Sequence, residues 1–142
     1  MKTVLAFGSF DILHPGHLLY LERARRLGDR LVVVVARDES IKMFKGKGPV
    51  FSQRDRVRML NSLKVVDKAV LGNRLLKSSD RYRVLKEYRP QVIVFGYDQK
   101  VNPQSIKKWL KENRMSAKIV RIKSSVNPKF YKSSKLGKLL LN

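Results

Sequence analysis

Residues 3–36 read TVLAFGSFDILHPGHLLYLERARRLGDRLVVVVA, and their periodicity changes twice. Thr3 to Phe7 is a short apolar run that stops at Gly8. From about Gly16 to Leu27 apolar residues recur at helical spacing, through Leu18, Leu19, Leu21, Ala24 and Leu27. Gly28 stands where a helix C-cap is expected. Leu31 to Ala36 is then continuously apolar and largely β-branched, the mark of a strand buried on both faces of a parallel sheet. Strand, helix and buried strand in that order predict a right-handed βαβ unit.

The alternation continues outward. A polar loop rich in Gly and Lys is expected up to Phe51, and Ser52 then N-caps a helix through Leu63, with Asp55 completing an approximate capping box. A strand at Lys68–Leu71, a helix from about Asp80 to Tyr88 and a strand at Gln91–Phe95 follow, the last two separated by Pro90. Asn102-Pro103 pairs an N-cap with proline at the first helical position, opening a helix to about Asn113. Ala117–Ile122 reads as a fifth strand, and a loop with Asn127-Pro128 leads to a last short helix near Ser133–Leu141. The pattern predicts a single-domain α/β fold: a doubly wound, Rossmann-like, five-stranded parallel sheet with helices on both faces. No internal repeat or linker divides residues 1–142.

Composition narrows the function classes. An apolar share of 43% is ordinary for a folded protein and argues against disorder. With no cysteine there is no disulfide framework, thiolate metal site or thiol nucleophile. The apolar runs are too short for a signal-peptide core or a membrane span, so a cytoplasmic protein with no membrane partner is expected. The net charge is +21, and residues 100–142 carry 12 Lys/Arg against the single acid Glu112. Such a surface attracts polyanions without choosing among nucleotides, nucleic acid and acidic lipid.

Both histidines of the chain, His14 and His17, flank Pro15-Gly16 just after the first strand. In open α/β sheets ligands bind beyond the carboxyl ends of the strands, and Gly8 and Ser9 fall there, where backbone N–H groups can cradle a phosphate. By spacing alone, a turn with two surface imidazoles is an equally good reading. No Cys or carboxylate stands at ligand spacing beside them, which argues against a metal held by the protein, and no G-x-x-x-x-G-K-[ST] loop occurs.

FGSFDILHPGH, residues 7–17, resembles the G-[TS]-F-D-x-x-H-x-G-H signature of the nucleotidyltransferase superfamily, in its cytidylyltransferase-like branch. HPGHLLYLERARRLGD, VVVARDESIKMFKGKGP, VDKAVLG, FGYDQ and YKSSKL resemble, in order, blocks of its archaeal FAD synthase subgroup. The resemblance implies attack of a phosphate oxygen on the α-phosphorus of a nucleoside triphosphate, with pyrophosphate leaving and no covalent enzyme intermediate. Catalysis would then be positioning and charge stabilisation, for which two imidazoles at a helix mouth can donate hydrogen bonds to the phosphoryl oxygens. ATP and FMN are the implied substrates, Mg²⁺ the implied ion, held mainly by the phosphates, and a homodimer the implied assembly.

Residue by residue, the family pattern implies catalytic roles for His14, His17, Lys45 (with Lys47 as a partner) and Arg56, whose neighbours Arg54 and Arg58 leave the register open. Phe7, Gly8, Ser9 and Phe10 would border the nucleotide with the histidines. Ser133 and Ser134 would hold its phosphates at the N-terminus of the last helix, so that the basic segment 123–142 closes the site. Asp98 would bind nucleotide or second substrate, unless it serves an Asx-turn. Tyr97 and Tyr131, with Phe44 and Phe130, could wall the flavin ring, and Asp11 either meets the second substrate or caps the turn. Trp109, between Ile106 and Leu110, reads as packing. The chain lacks the Arg-Thr-x-Gly that precedes the serines in glycerol-phosphate enzymes, which favours FMN over a cytidylyltransferase acting on a phosphorylated alcohol. Nucleic-acid binding without catalysis would use the basic tail but leaves the histidine pair unexplained, and no RNP or zinc-finger spacing supports it.

Overall fold

The computed structural model describes residues 1–74, 81–96 and 99–123. Along them run β1 (Thr3–Gly8), α1 (Pro15–Arg25), β2 (Arg30–Val35), α2 (Asp38–Lys45), α3 (Gln53–Asn61), β3 (Lys68–Leu71), α4 (Val84–Tyr88), β4 (Val92–Gly96), α5 (Pro103–Glu112) and β5 (Lys118–Ile122). The strands form one sheet in the order β3-β2-β1-β4-β5, and every pairing is parallel. This is the doubly wound arrangement expected from the sequence.

The two faces divide the side chains by parity. Leu31, Val33 and Val35 of β2 pack in one apolar cluster with Leu21 and Ala24 of α1 and Leu60 of α3. Val32 and Val34 point into the other, with Val84 and Leu85 of α4 and Ile106 and Leu110 of α5. A strand covered on both faces must be apolar at every position, which is why this run does not alternate. Trp109 is half-buried against the second cluster, tilted over Tyr82 with ring centroids 5.9 Å apart.

The strand order reverses between β1 and β4. β1 pairs with β2 through to Gly8↔Val35, whereas its pairing with β4 stops at Ala6↔Val94. The two central strands therefore part at their carboxyl ends, and the fold opens a crevice at the switch point.

Local signals explain most boundaries. The Ser52 side chain accepts from the Asp55 N–H, and that of Asn102 from the Gln104 N–H, each satisfying an orphan donor of its helix. Three departures are informative. The expected loop after β2 contains α2, whose Asp38 and Glu39 complement the helix dipole and whose C-cap, Gly46, sits at φ 80. Gly28 is not a cap: α1 ends at Arg25 with Arg26 as C-cap, and a Cβ on Gly28 would fall 2.7 Å from the Lys2 carbonyl oxygen and 2.8 Å from Val4 Cγ2. Its lack of a side chain lets the chain re-enter the sheet against β1. α4 begins at Val84, later than expected. The last expected helix, Ser133–Leu141, lies outside the described residues. Among the described residues no helix is long and apolar enough to cross a membrane.

Candidate active site

The crevice is a cleft of about 940 Å³ along the carboxyl edge of the sheet. That is near the upper end of the roughly 300–1,000 Å³ usual for ligand sites. Phe7, Gly8, Ser9 and Phe10 at the end of β1 border it, together with His14, Gly16 and His17 at the start of α1. From there one arm runs over the ends of β2 and β3, past Arg37, Ser40, Phe44, Lys45, Asn73, Arg81 and Tyr82. The other runs over β4 and β5, past Arg23, Gly96, Gln99, Lys100, Val101 and Lys123.

The two histidines meet where the arms join. Their rings stack with centroids 3.8 Å apart and planes 26° from parallel. His14 is the N-cap of α1, its Nδ1 accepting from the Gly16 N–H at 3.1 Å. An accepting Nδ1 carries no proton, so the proton of neutral His14 belongs to Nε2. His17 lies one turn into the helix, and its pKa is pushed from 6.5 down to about 3. Burial is the main cause, followed by the adjacent His14 imidazole; a hydrogen bond with the Ile12 backbone acts in the opposite direction and Lys45 adds a smaller depression. His17 is therefore a neutral imidazole at physiological pH, a hydrogen-bonding group rather than a cation.

A rigid frame holds this pair. Phe10 adopts φ 49, in the left-handed region that a bulky residue rarely enters, and its ring folds back over Gly8, where a Cβ would lie 2.6 Å from Phe10 Cε2. The same ring is buried and tilted against His17 at 5.4 Å and Tyr20 at 6.2 Å. Glycine at position 8 is thus the condition for Phe10 to wedge behind His17. Phe7 stacks on Phe95 with centroids 5.4 Å apart, covering the point where β1 and β4 separate. The Phe7 carbonyl, without a strand partner there, accepts from Gln99 Nε2 at 2.8 Å, and the Tyr20 hydroxyl lies 3.1 Å from both Phe7 O and Val94 O.

Two expected site residues lie elsewhere. Arg56 does not line the cleft: its side chain is fully buried, donating from Nη1 to Ser9 O at 2.7 Å, from Nε to Phe51 O at 3.1 Å and from Nη2 to Asp38 Oδ1 at 2.7 Å. Three directed bonds use the guanidinium fork and fasten the β1 exit loop to α2 and α3. Asp11 accepts from the Val50 and Phe51 N–H groups at 2.8 and 2.9 Å, a loop clamp rather than a cleft residue. Lys45 does border the cleft, from the last turn of α2, whereas the exposed Lys47 does not. Phe44 reaches the cleft from a helix rather than a loop and remains 63% exposed, with the Arg81 guanidinium 5.5 Å from its ring centroid. Tyr97, Asp98, Phe130, Tyr131, Ser133 and Ser134 lie outside the described residues.

Other contributors escaped sequence reasoning. Arg121 donates from Nη1 to Gly96 O at 2.8 Å and Gln99 O at 2.7 Å, tying these two residues together. Arg37 donates from Nε to Gly72 O at 2.8 Å and ties the ends of β2 and β3 together. Nothing in the spacing of these residues separates them from other surface cations, although Gln99 and Gly96 stand inside the quoted GYDQ block. Among the described residues no three His, Asp or Glu side chains gather as a metal cage.

Known proteins share the sequence pattern and the fold of this chain. The cytidylyltransferase-like family model matches residues 5–138. A protein of Methanohalobium evestigatum named FAD synthase is 52% identical over 122 residues, covering 86% of this chain and 77% of its own. One of the same name from Aciduliprofundum boonei is 46% identical over 123 residues, covering 87% and 79%. A crystal structure from Thermoplasma volcanium, described as a lipopolysaccharide core biosynthesis protein, superposes with a TM-score of 0.79 at 42% identity over 87% of this chain and 98% of that one. Thermotoga maritima TmcAL bound with alpha-thio ATP shares the fold alone, at 15% identity and a TM-score of 0.71 over 99% of this chain and 50% of that one.

Proposed function

The chain belongs to the cytidylyltransferase-like family of nucleotidyltransferases, and on that premise we propose that it transfers AMP from ATP to FMN, giving FAD and pyrophosphate. A phosphate oxygen of FMN attacks the α-phosphorus of ATP. The new O–P bond forms as the bond from the α-phosphorus to the bridging oxygen breaks, and its electron pair leaves with pyrophosphate.

The observation that carries this reading is the stacked imidazole pair at the junction of the cleft's two arms. An in-line displacement needs donors beside the phosphoryl oxygens and an unobstructed line of attack. His14, with its proton on Nε2, and His17, held neutral by burial, supply donors of low bulk. His17, with its pKa pushed down to about 3, is a weak base, which suits a hydrogen-bonding role in a reaction with no covalent intermediate. Lys45 adds a flexible cation from the α2 terminus, and the N–H groups opening α1 add a positive dipole end.

Enzymes of this class generally use a divalent ion, here taken as Mg²⁺, which neutralises phosphate charge when bound. The remaining assignments extend the same reading. Asp98 and the serine pair Ser133-Ser134 would contact the nucleotide, segment 123–142 would close over it, and Tyr97 and Tyr131 would face the flavin. FMN as the acceptor is supported by the FAD synthase name of relatives about half identical to this chain. An apolar ring also suits the arm walled by Phe44 and Tyr82. Incubation with ATP, FMN and Mg²⁺ followed by chromatography tests the proposal: FAD and pyrophosphate should appear in equal amounts, and their absence from a folded sample would overturn it.

A further inference from the structure

The asparagines of the described chain are nearly all committed to the fold. Asn61 holds both the N–H and the carbonyl of Ala69, Asn102 caps α5, and Asn113 donates to Trp109 O. Asn73 is the exception: its Oδ1 is buried with no hydrogen-bond partner, and the residue lines the cleft just beyond β3. A buried acceptor left unpaired destabilises the fold, so a position that keeps one has another use for it.

The backbone there is fixed. The Gly72 N–H donates to Val35 O at 2.9 Å, and Gly72 O accepts from Arg37 Nε at 2.8 Å. Asn73 is thus presented from a braced strand end rather than from a free loop, the arrangement a recognition group requires. It lines the cleft together with Phe44, Arg81 and Tyr82. Phe44 is largely exposed and carries the Arg81 guanidinium over its ring, a surface suited to a large planar partner.

A carboxamide offers one acceptor and one donor side by side. The isoalloxazine pyrimidine ring offers the complement, an N3–H between two carbonyl oxygens. In either orientation of the amide, one oxygen can accept from N3–H while the nitrogen donates to a neighbouring carbonyl. A purine amino edge has similar complementarity. The flavin is favoured because Phe44 and Tyr82 line the cleft together with Asn73 and offer apolar surface to a large planar ring.

Resting on the FMN reading above, we propose that Asn73 recognises the imide edge of the flavin and so selects flavin phosphate over phosphorylated alcohols that lack it. A site built to bond a substrate N–H discriminates against the analogue without it, because its own polar group is then left unpaired.

The test compares FMN with N3-methyl-FMN in the wild-type protein, then repeats the pair with Asn73→Ala and Asn73→Asp. The wild type should turn over FMN with a KM at least about tenfold below that for the N3-methyl analogue, the factor expected for one good hydrogen bond. Asn73→Ala should raise the KM for FMN to the analogue's value and leave the KM for ATP unchanged, while Asn73→Asp, which retains an acceptor, should keep part of the discrimination. Equal use of both flavins by the wild type would overturn the assignment of Asn73 while leaving FMN adenylylation standing. A rise confined to the KM for ATP would overturn it in favour of purine recognition. No FAD from wild-type protein would overturn the FMN reading itself, and this inference with it.

Discussion

Replacing Arg56 by methionine separates a structural cation from a phosphate-binding one. Methionine keeps much of the buried volume and removes all three hydrogen bonds, leaving Ser9 O and Phe51 O short of a donor and Asp38 short of its partner. The ion pair itself contributes little of the loss, because the Asp38 side chain is 41% exposed and screened by solvent. The two part-buried carbonyls and the lost fork weigh more, and at about 1 kcal/mol for each of three hydrogen bonds the loss is about 3 kcal/mol. At an unfolding entropy of ~2.1 cal/mol/K per residue, a chain of this length loses roughly 3 °C of melting temperature per kcal/mol, or about 10 °C in all. Thermal melting followed by circular dichroism reads this directly. Turnover measured well below the melting range should fall less than about tenfold, since Arg56 acts only by bracing the loop that carries Ser9 and Phe10. Arg56→Lys, which keeps the charge but not the fork, should recover little of the stability. An unchanged melting temperature with turnover reduced a hundredfold or more would refute this reasoning and return Arg56 to the phosphates.

His14→Ala and His17→Ala should each lower kcat by about 10²–10³, the usual cost of removing one donor to developing charge, with the fold retained by circular dichroism; near-normal turnover in the folded double variant would contradict their role. His17 also sets a pH dependence: with a folded pKa near 3 against 6.5 when unfolded, it is protonated in the unfolded chain first. Its contribution to stability is therefore complete above pH 6.5 and is lost as pH falls toward 3, by at most about 1.4 kcal/mol per pH unit. Urea unfolding at pH 7 and pH 5 should show a steeper loss for the wild type than for His17→Gln, and parallel losses would refute the assignment. Deleting residues 131–142 should abolish turnover and weaken ATP binding while FMN binding survives in part; unchanged ATP affinity in the folded truncation would show that the tail serves another purpose.

The sheet was legible because its signals are redundant. The βαβ reading of residues 3–36 rests on an unbroken apolar run that only a doubly covered strand requires, and that run divides between the two cores as parity demands. Helix α2 was missed because its eight residues include just Ile41, Met43 and Phe44 as large apolar side chains, two of them exposed, and Gly46, Gly48 and Pro49 follow at once. The histidine turn stood out through its residue types, and its geometry followed from the Nδ1 cap, a common use of a side chain at a helix start. The role of Arg56 came from the family pattern, whereas its burial depends on carbonyls at Ser9 and Phe51 that sequence spacing does not relate. Tyr20, Gln99 and Arg121 act on groups distant in sequence. No local pattern announces such contacts.

The most direct measurement of the central claim is a product analysis in two reactions run in parallel, ATP with FMN and CTP with glycerol 3-phosphate, each with Mg²⁺ and with pyrophosphate followed over time. The cleft, its stacked imidazole pair and its aromatic lining predict FAD and an equal amount of pyrophosphate from the first reaction and none from the second. Pyrophosphate from the second reaction alone, with no FAD from the first, would contradict the assignment of FMN as acceptor and ATP as donor.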